Sequence, residues 1–184
     1  MPDRDDSDIL RRVAQGETAA FAELYRKYQR RLYGYCLRLL GDRDSAEDVM
    51  QTVFVRAMEH LASLERPELF YSWLFTIARN EIYAGFRAAR RNGTVDLSED
   101  VWDEETPHER VVQGETEALV EDGLSRLKPE YREVLVLRQF EKLSYAEIAA
   151  ITGTTVSSVE SRLFRARKAL MKYLEPFLRE RSVS

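Results

Sequence analysis

Cysteine is almost missing from this chain: Cys36 is the single one in 184 residues. One thiol excludes an internal disulfide framework and a cysteine-based zinc site. Glycine and proline are sparse, at eight and five residues, too few for a low-complexity or collagen-like chain. The only histidines are His60 and His108, and neither has a serine, cysteine or carboxylate partner at a spacing that catalysis or metal binding uses. A Gly-rich phosphate loop is also lacking. No apolar run approaches the roughly 20 residues that a bilayer span needs. The start, Met-Pro-Asp-Arg-Asp-Asp-Ser-Asp, is acidic and polar, unlike a secretory signal. Alternating Val, Ile and Thr runs bounded by turns, the mark of strands, are nearly missing. These absences predict a soluble, cytoplasmic, helical protein that is not an enzyme, takes no cofactor or metal, and does not insert into a membrane.

What is present is charge, unevenly placed. Residues 1–93 carry a net +1, residues 94–122 a net −10, and residues 123–184 a net +5, within the −4 of the whole. One short stretch supplies the negative excess, which predicts two lobes joined by an acidic connector. Such a connector repels itself and stays extended; it can also screen a basic lobe or mimic nucleic acid.

Helical periodicity fills the rest. Ala19 to Leu40 reads as one helix, with Phe21, Leu24, Tyr25, Tyr28, Leu32, Tyr35 and Leu39 on a broad face, ended by Gly41-Asp42. Ser45 is placed to cap the next helix, whose apolar side runs from Ala46 through Val49, Met50, Val53, Phe54 and Ala57 to Leu61. Beyond Pro67, Phe70, Trp73, Leu74 and Ile77 begin a third helix reaching about Arg90. Residues 92–114 are polar, acidic and aperiodic, and helical patterning returns from Glu115 to about Leu178. The predicted fold is all-α: two small helical domains, 1–91 and 115–184, joined by a flexible acidic linker at 92–114.

The second domain carries the sharper signal. Ser144 with Glu147 forms a capping box that opens a short helix. Thr152-Gly153-Thr154 makes a turn, with Gly153 free to take positive φ, and Thr155 is placed to cap a second helix. Its apolar stripe is Val156, Val159, Leu163, Ala166 and Leu170. Two helices around a Gly-bearing turn match the DNA-binding helix-turn-helix, whose second helix enters the major groove. The face opposite the stripe carries Ser157, Ser158, Ser161, Arg162, Arg165 and Lys168, flanked by Arg167 and Lys172. Small hydroxyl residues near a helix N-terminus allow close approach to phosphates, and arginine can pair bidentately with guanine.

Residues 129–170, from Pro-Glu-Tyr-Arg-Glu-Val-Leu-Val-Leu-Arg through Val-Glu-Ser-Arg-Leu-Phe-Arg-Ala-Arg-Lys-Ala-Leu, closely resemble region 4 of bacterial RNA polymerase sigma factors of the sigma-70 family, in the extracytoplasmic-function (group IV) class. Gly16-Glu17, Ala20-Phe21 and Leu24-Tyr25, with Ala46-Glu47-Asp48-Val49 and Phe54-Val55-Arg56-Ala57, resemble regions 2.1 and 2.2. Phe70 to Asn80 resembles regions 2.3 and 2.4. The resemblance covers most of the chain outside the termini and linker.

It implies a transcription initiation factor whose partners are core RNA polymerase, promoter DNA and an anti-sigma factor. The duplex −35 element would meet Thr155, Ser157, Ser158, Glu160, Ser161, Arg162, Phe164, Arg165, Arg167 and Lys168. The melted −10 element would meet Tyr71, Trp73, Phe75, Arg79, Asn80, Arg87, Arg90 and Arg91. Tyr71 and Phe75 fall off the expected apolar stripe and are therefore placed to stack on unpaired bases, each worth about 1–3 kcal/mol if stacked. The polymerase clamp would meet Asp48, Gln51, Thr52, Phe54 and Arg56. Two departures from the family's usual residues stand out. Ala84 and Gly85 replace an acidic or amide residue and a basic one, and Glu160 stands where Lys or Arg is common. Two other functions fit a helix-turn-helix: a repressor or activator that binds duplex DNA unaided, and an all-helical adaptor whose basic helix is merely solvated. Dependence on polymerase separates them.

Overall fold

The computed structural model describes residues 6–91 and 115–181, and of these the side chains of 90, 115–117, 180 and 181 are left undescribed. The expected linker, with His108, lies outside the described residues. Among the described residues there are eight α-helices, three short 3-10 turns and no strand element. They gather into two compact units. No described helix is long and apolar enough to cross a membrane.

The N-terminal unit contains α1 (Asp6–Ala14), α2 (Phe21–Leu40), α3 (Arg43–His60) and α4 (Phe70–Arg91). The central helix α2 packs against the other three. Leu24, Leu32, Tyr35 and Leu39 line its buried side, as its periodicity requires. Gly41 ends α2 in the left-handed conformation, at φ 75°, and its N–H donates to the Leu37 carbonyl at 2.8 Å. Cys36 is fully buried among these residues, and burial pushes its thiol up to about 12.

Two expectations need correction here. The start of α3 is capped by Asp42, not Ser45: the Asp42 carboxylate accepts from the Ser45 N–H at 2.8 Å. These bonds from Ser45 hold the Asp42 carboxyl below its ordinary range. In addition, α1 is not among the expected helices, although Asp6 and Asp8 in its first turn and Arg11 and Arg12 in its last suit a helix. It is fixed by tertiary contacts: Ile9 and Leu10 are buried, and the buried Asp6 carboxylate accepts from Lys27 Nζ at 2.6 Å and from the Tyr28 hydroxyl.

The C-terminal unit contains α5 (Glu115–Ser125), α6 (Pro129–Gln139), the start of α7 (Tyr145–Thr152) and α8 (Val156–Arg181). Both α5 and α6 pack on α8. Gly123 permits the α5 contact: a Cβ there would sit 2.6 Å from Leu170 Cδ1 and 2.9 Å from Tyr173 Cδ1. Beside it, the Tyr173 hydroxyl donates to the Asp122 carboxylate, which also takes the Arg126 guanidinium at 3.0 Å. Burial first, then the Asp122 bond, raises the Tyr173 phenol. The end of α5 would leave carbonyls without partners; the buried Arg132 Nη2 donates to the Ser125 carbonyl and, at 2.8 Å, to that of Leu127.

Candidate nucleic-acid interface

The helix-turn-helix is assembled by local hydrogen bonds that follow from residue type. Glu147 accepts from the Ser144 N–H at 2.8 Å, and the Ser144 hydroxyl accepts from the Glu147 N–H at 3.3 Å, which is the reciprocal capping box. Before it, Arg138 Nη1 donates to the Leu143 carbonyl at 2.7 Å, fixing the α6–α7 turn. Ile148, Ala149 and Ile151 of α7 are buried. Gly153 takes φ 65°, and Thr155 Oγ1 accepts from the Ser158 N–H at 3.1 Å, capping α8.

The packed stripe of α8 is narrower than its sequence suggested. Val159, Leu163 and Ala166 are buried, whereas Val156, the helix's first residue, is exposed and Leu170 is half-buried. The opposite side presents Ser157, Glu160, Ser161, Phe164, Arg165, Arg167 and Lys168 to solvent, with Thr155 exposed at the cap and Ser158 and Arg162 half-exposed. Phe164 is 69% exposed, an unusual state for a phenyl ring in the middle of a well-packed helix. Among the described residues, Arg162, Arg165, Arg167 and Lys168 have no carboxylate partner. Their charges are therefore available to phosphates.

In the N-terminal unit the expected faces of α4 are rotated. Tyr71 and Phe75, expected off the apolar stripe and open to bases, are both buried. The reason is that α4 packs on α2 and α3 together, so its buried side is wide enough to take Phe70, Tyr71, Leu74, Phe75, Ala78 and Ile82. Tyr71 and Phe75 rings lie 4.6 Å apart, with Tyr35 5.1 Å from Phe75 and the Arg31 guanidinium 4.5 Å over Tyr71. Trp73, expected to meet the −10 strand, is half-buried. It shares the outward side with Thr76, Asn80, Tyr83 and Arg87, at steps of three and four residues. Asn80, Arg87 and Arg91 are exposed, while Arg79 is half-buried over the Tyr83 ring at 4.4 Å. The side chain of Arg90 lies outside the described residues. Thr76 and Tyr83 were missed from sequence; their three-and-four spacing from Trp73 was the available signal.

On α3, Asp48 and Gln51 are exposed and Thr52 is half-buried. Phe54, expected to touch polymerase, is buried instead, its ring 4.7 Å from Tyr25 and 6.4 Å from Phe21. It falls on the side of α3 that packs on α2, the unit's most extensive helix contact. Arg56 is ion-paired with Glu81 of α4. The sequence reading missed two exposed apolar residues, Val55 at 57% and Met58 at 47%. They follow Gln51 at four and seven residues and so share its side of the helix. Among the described residues, no group of three or more His, Cys, Asp or Glu side chains is placed to hold a metal ion.

Comparison with known proteins agrees with this layout. A family model for sigma-70 region 2 matches residues 24–92, and one for sigma-70 region 4 matches residues 118–170. The RNA polymerase sigma-H factor of Pseudomonas aeruginosa is 36% identical over 95% of this chain and 96% of its own. The sigma factor SigW of Bacillus subtilis, of the extracytoplasmic-function group, is 31% identical over 90% of this chain and 94% of its own. Two of the similar solved structures are complexes. One is the sigma factor RpoE with the anti-sigma factor NepR from Bartonella quintana, at TM-score 0.68 and 27% identity, covering 84% of this chain and 96% of that one. The other is CnrH with the cytosolic domain of CnrY, at TM-score 0.69 and 28% identity, covering 93% and 97%.

Proposed function

Because the chain belongs to the extracytoplasmic-function group of the sigma-70 family of RNA polymerase sigma factors, we propose a division of its promoter work among three helix faces. The protein is a transcription initiation factor rather than an enzyme: it binds core RNA polymerase and directs it to promoters. In this reading the outward side of α8 docks in the major groove of the duplex −35 element. Ser157, Ser158 and Ser161 let the helix N-terminus approach the phosphate backbone, and Arg162, Arg165, Arg167 and Lys168 neutralise it. The outward side of α4 handles the melted −10 strand. There the half-exposed Trp73 and Tyr83 offer ring faces to bases, and Asn80, Arg87 and Arg91 offer polar and charged contacts. Asp48, Gln51, Val55 and Met58 of α3 form the polymerase contact, an apolar patch with a polar rim.

The observation that carries the reading is the division of α8 into a buried stripe and an outward face whose basic residues have no carboxylate partner among the described residues. The domain limits follow the same division of labour: 1–91 for polymerase and −10, 115–184 for −35, and 92–114 as tether. The protein acts in the cytoplasm, where its polymerase works. An anti-sigma factor holds it inactive by covering the α3 and α8 faces. The similarity to two sigma factors solved with such partners or their cytosolic domains supports this. In-vitro transcription with core polymerase and a pooled promoter library tests the whole proposal. Discrete start sites that depend on the added chain are expected; a chain that neither binds core polymerase nor alters start-site choice refutes it.

A further inference from the structure

Between Thr155 and Lys172 five side chains are basic and one, Glu160, is acidic. Glu160 is exposed on the outward face of α8, next to Ser161 and one turn from both Ser157 and Phe164. Three ordinary reasons for a carboxylate on a helix do not apply to it. Its neighbours three and four residues away are Ser157, Val156, Leu163 and Phe164, so no cation stands where an intrahelical ion pair needs one. Among the described residues it has no ion-pair or hydrogen-bond partner on another element. It is the fifth residue of α8, past the first turn, where the helix dipole chiefly favours an acid, and Thr155 already caps the helix.

A free carboxylate on a phosphate-facing surface weakens binding to any DNA unless it meets a hydrogen-bond donor. In the major groove cytosine presents an N4 amino donor with no acceptor beside it on the same base. The adenine amino group sits next to the N7 acceptor, which repels a carboxylate. Positions near the start of a recognition helix are those that reach base edges. Resting on the reading of α8 as the −35 helix, we propose that Glu160 is a specificity-determining residue that selects one cytosine in the duplex −35 element by accepting a hydrogen bond from its N4 amino group. Arg165 and Lys168, further along the same face, supply the phosphate attraction that offsets its charge.

The test uses holoenzyme reconstituted from core polymerase and the full chain, with native, Glu160→Gln or Glu160→Ala sequence. Each selects bound duplexes from a promoter pool randomised across the −35 element. The native chain is expected to prefer cytosine at one position by about tenfold over the other bases. Glutamine, whose amide suits adenine, should move that preference to adenine. Alanine should abolish it, and every other position should keep its profile. Thermal unfolding should not change, because the side chain is exposed. Identical base profiles for all three chains, with affinity raised uniformly by loss of the negative charge, would overturn the proposal and leave the −35 reading standing. Selection at no position would overturn both.

Discussion

Replacing Phe164 by alanine separates folding from DNA binding, because the ring that is lost contributes almost nothing to the core. The residue is 69% exposed, and substitutions at such surface positions usually change stability by no more than about 0.5 kcal/mol. A phenylalanine carries about 200 Å² of accessible surface, which leaves about 140 Å² facing solvent here. If docking in the major groove covers half of that, about 70 Å² of apolar surface is removed from water. At about 25 cal/mol per Å² this is worth about 1.7 kcal/mol, or about fifteenfold in affinity. Its natural counterpart in the groove is a thymine methyl group. The assay pairs circular-dichroism melting of the free chain with mobility-shift titration of holoenzyme on a promoter duplex. An unchanged melting temperature with a roughly fifteenfold weaker complex is expected. A complex of native affinity would refute the placement of Phe164 in the groove. A large drop in melting temperature would refute the account of α8 packing.

Three further outcomes follow from the same geometry. Phe75→Ala should destabilise the N-terminal unit by about 3–5 kcal/mol, as core phenylalanine truncations do. Trp73→Ala should lower melting far less yet slow promoter opening in a permanganate-footprinting time course; the reverse order would restore Phe75 as a base contact. Charging the apolar patch with Val55→Asp plus Met58→Asp should reduce co-purification with core polymerase while melting stays near native; unchanged co-purification would remove α3 as the docking face. Asp42→Asn should preserve α3 at neutral pH, since Asn also caps helices well. The Asp42 carboxyl is held below its ordinary value by Ser45. Its contribution is therefore present above the unfolded value near 4 and is lost as pH falls through the lower folded one. The Asn variant should show a flatter loss of thermal stability as pH falls below about 4, measured by melting across pH.

What could be read in the sequence was chemistry that acts over three or four residues. The Gly41 stop, the Ser144–Glu147 box, the Gly153 turn and the Thr155 cap each depend on one side chain and its near backbone, and each is present. Choices between two equivalent local candidates, and choices decided by a distant partner, could not be read. Asp42 and Ser45 are both good caps, three residues apart, and the earlier one wins. The nine residues of α1 are too short a run for periodicity to stand out, and it is anchored by Asp6 reaching Lys27 and Tyr28 of another helix. The aromatics of α4 lie on adjacent sides of the helix, so spacing alone allowed Tyr71 and Phe75 to face outward. Contact with two neighbouring helices turns them in and leaves Trp73 at the surface. The same ambiguity placed Phe54 in the docking face and hid Val55 and Met58.

Along the first three turns of α8 the fold asks for three closely packed positions, Val159, Leu163 and Ala166. In the proposed reading, the exposed residues between them answer chiefly to DNA. A lineage that duplicates such a chain can rewrite those intervening letters one at a time, acquiring a new set of target genes at little thermodynamic penalty. Diversification of regulons then needs no remodelling of the scaffold, and a designer seeking an orthogonal promoter has the same freedom.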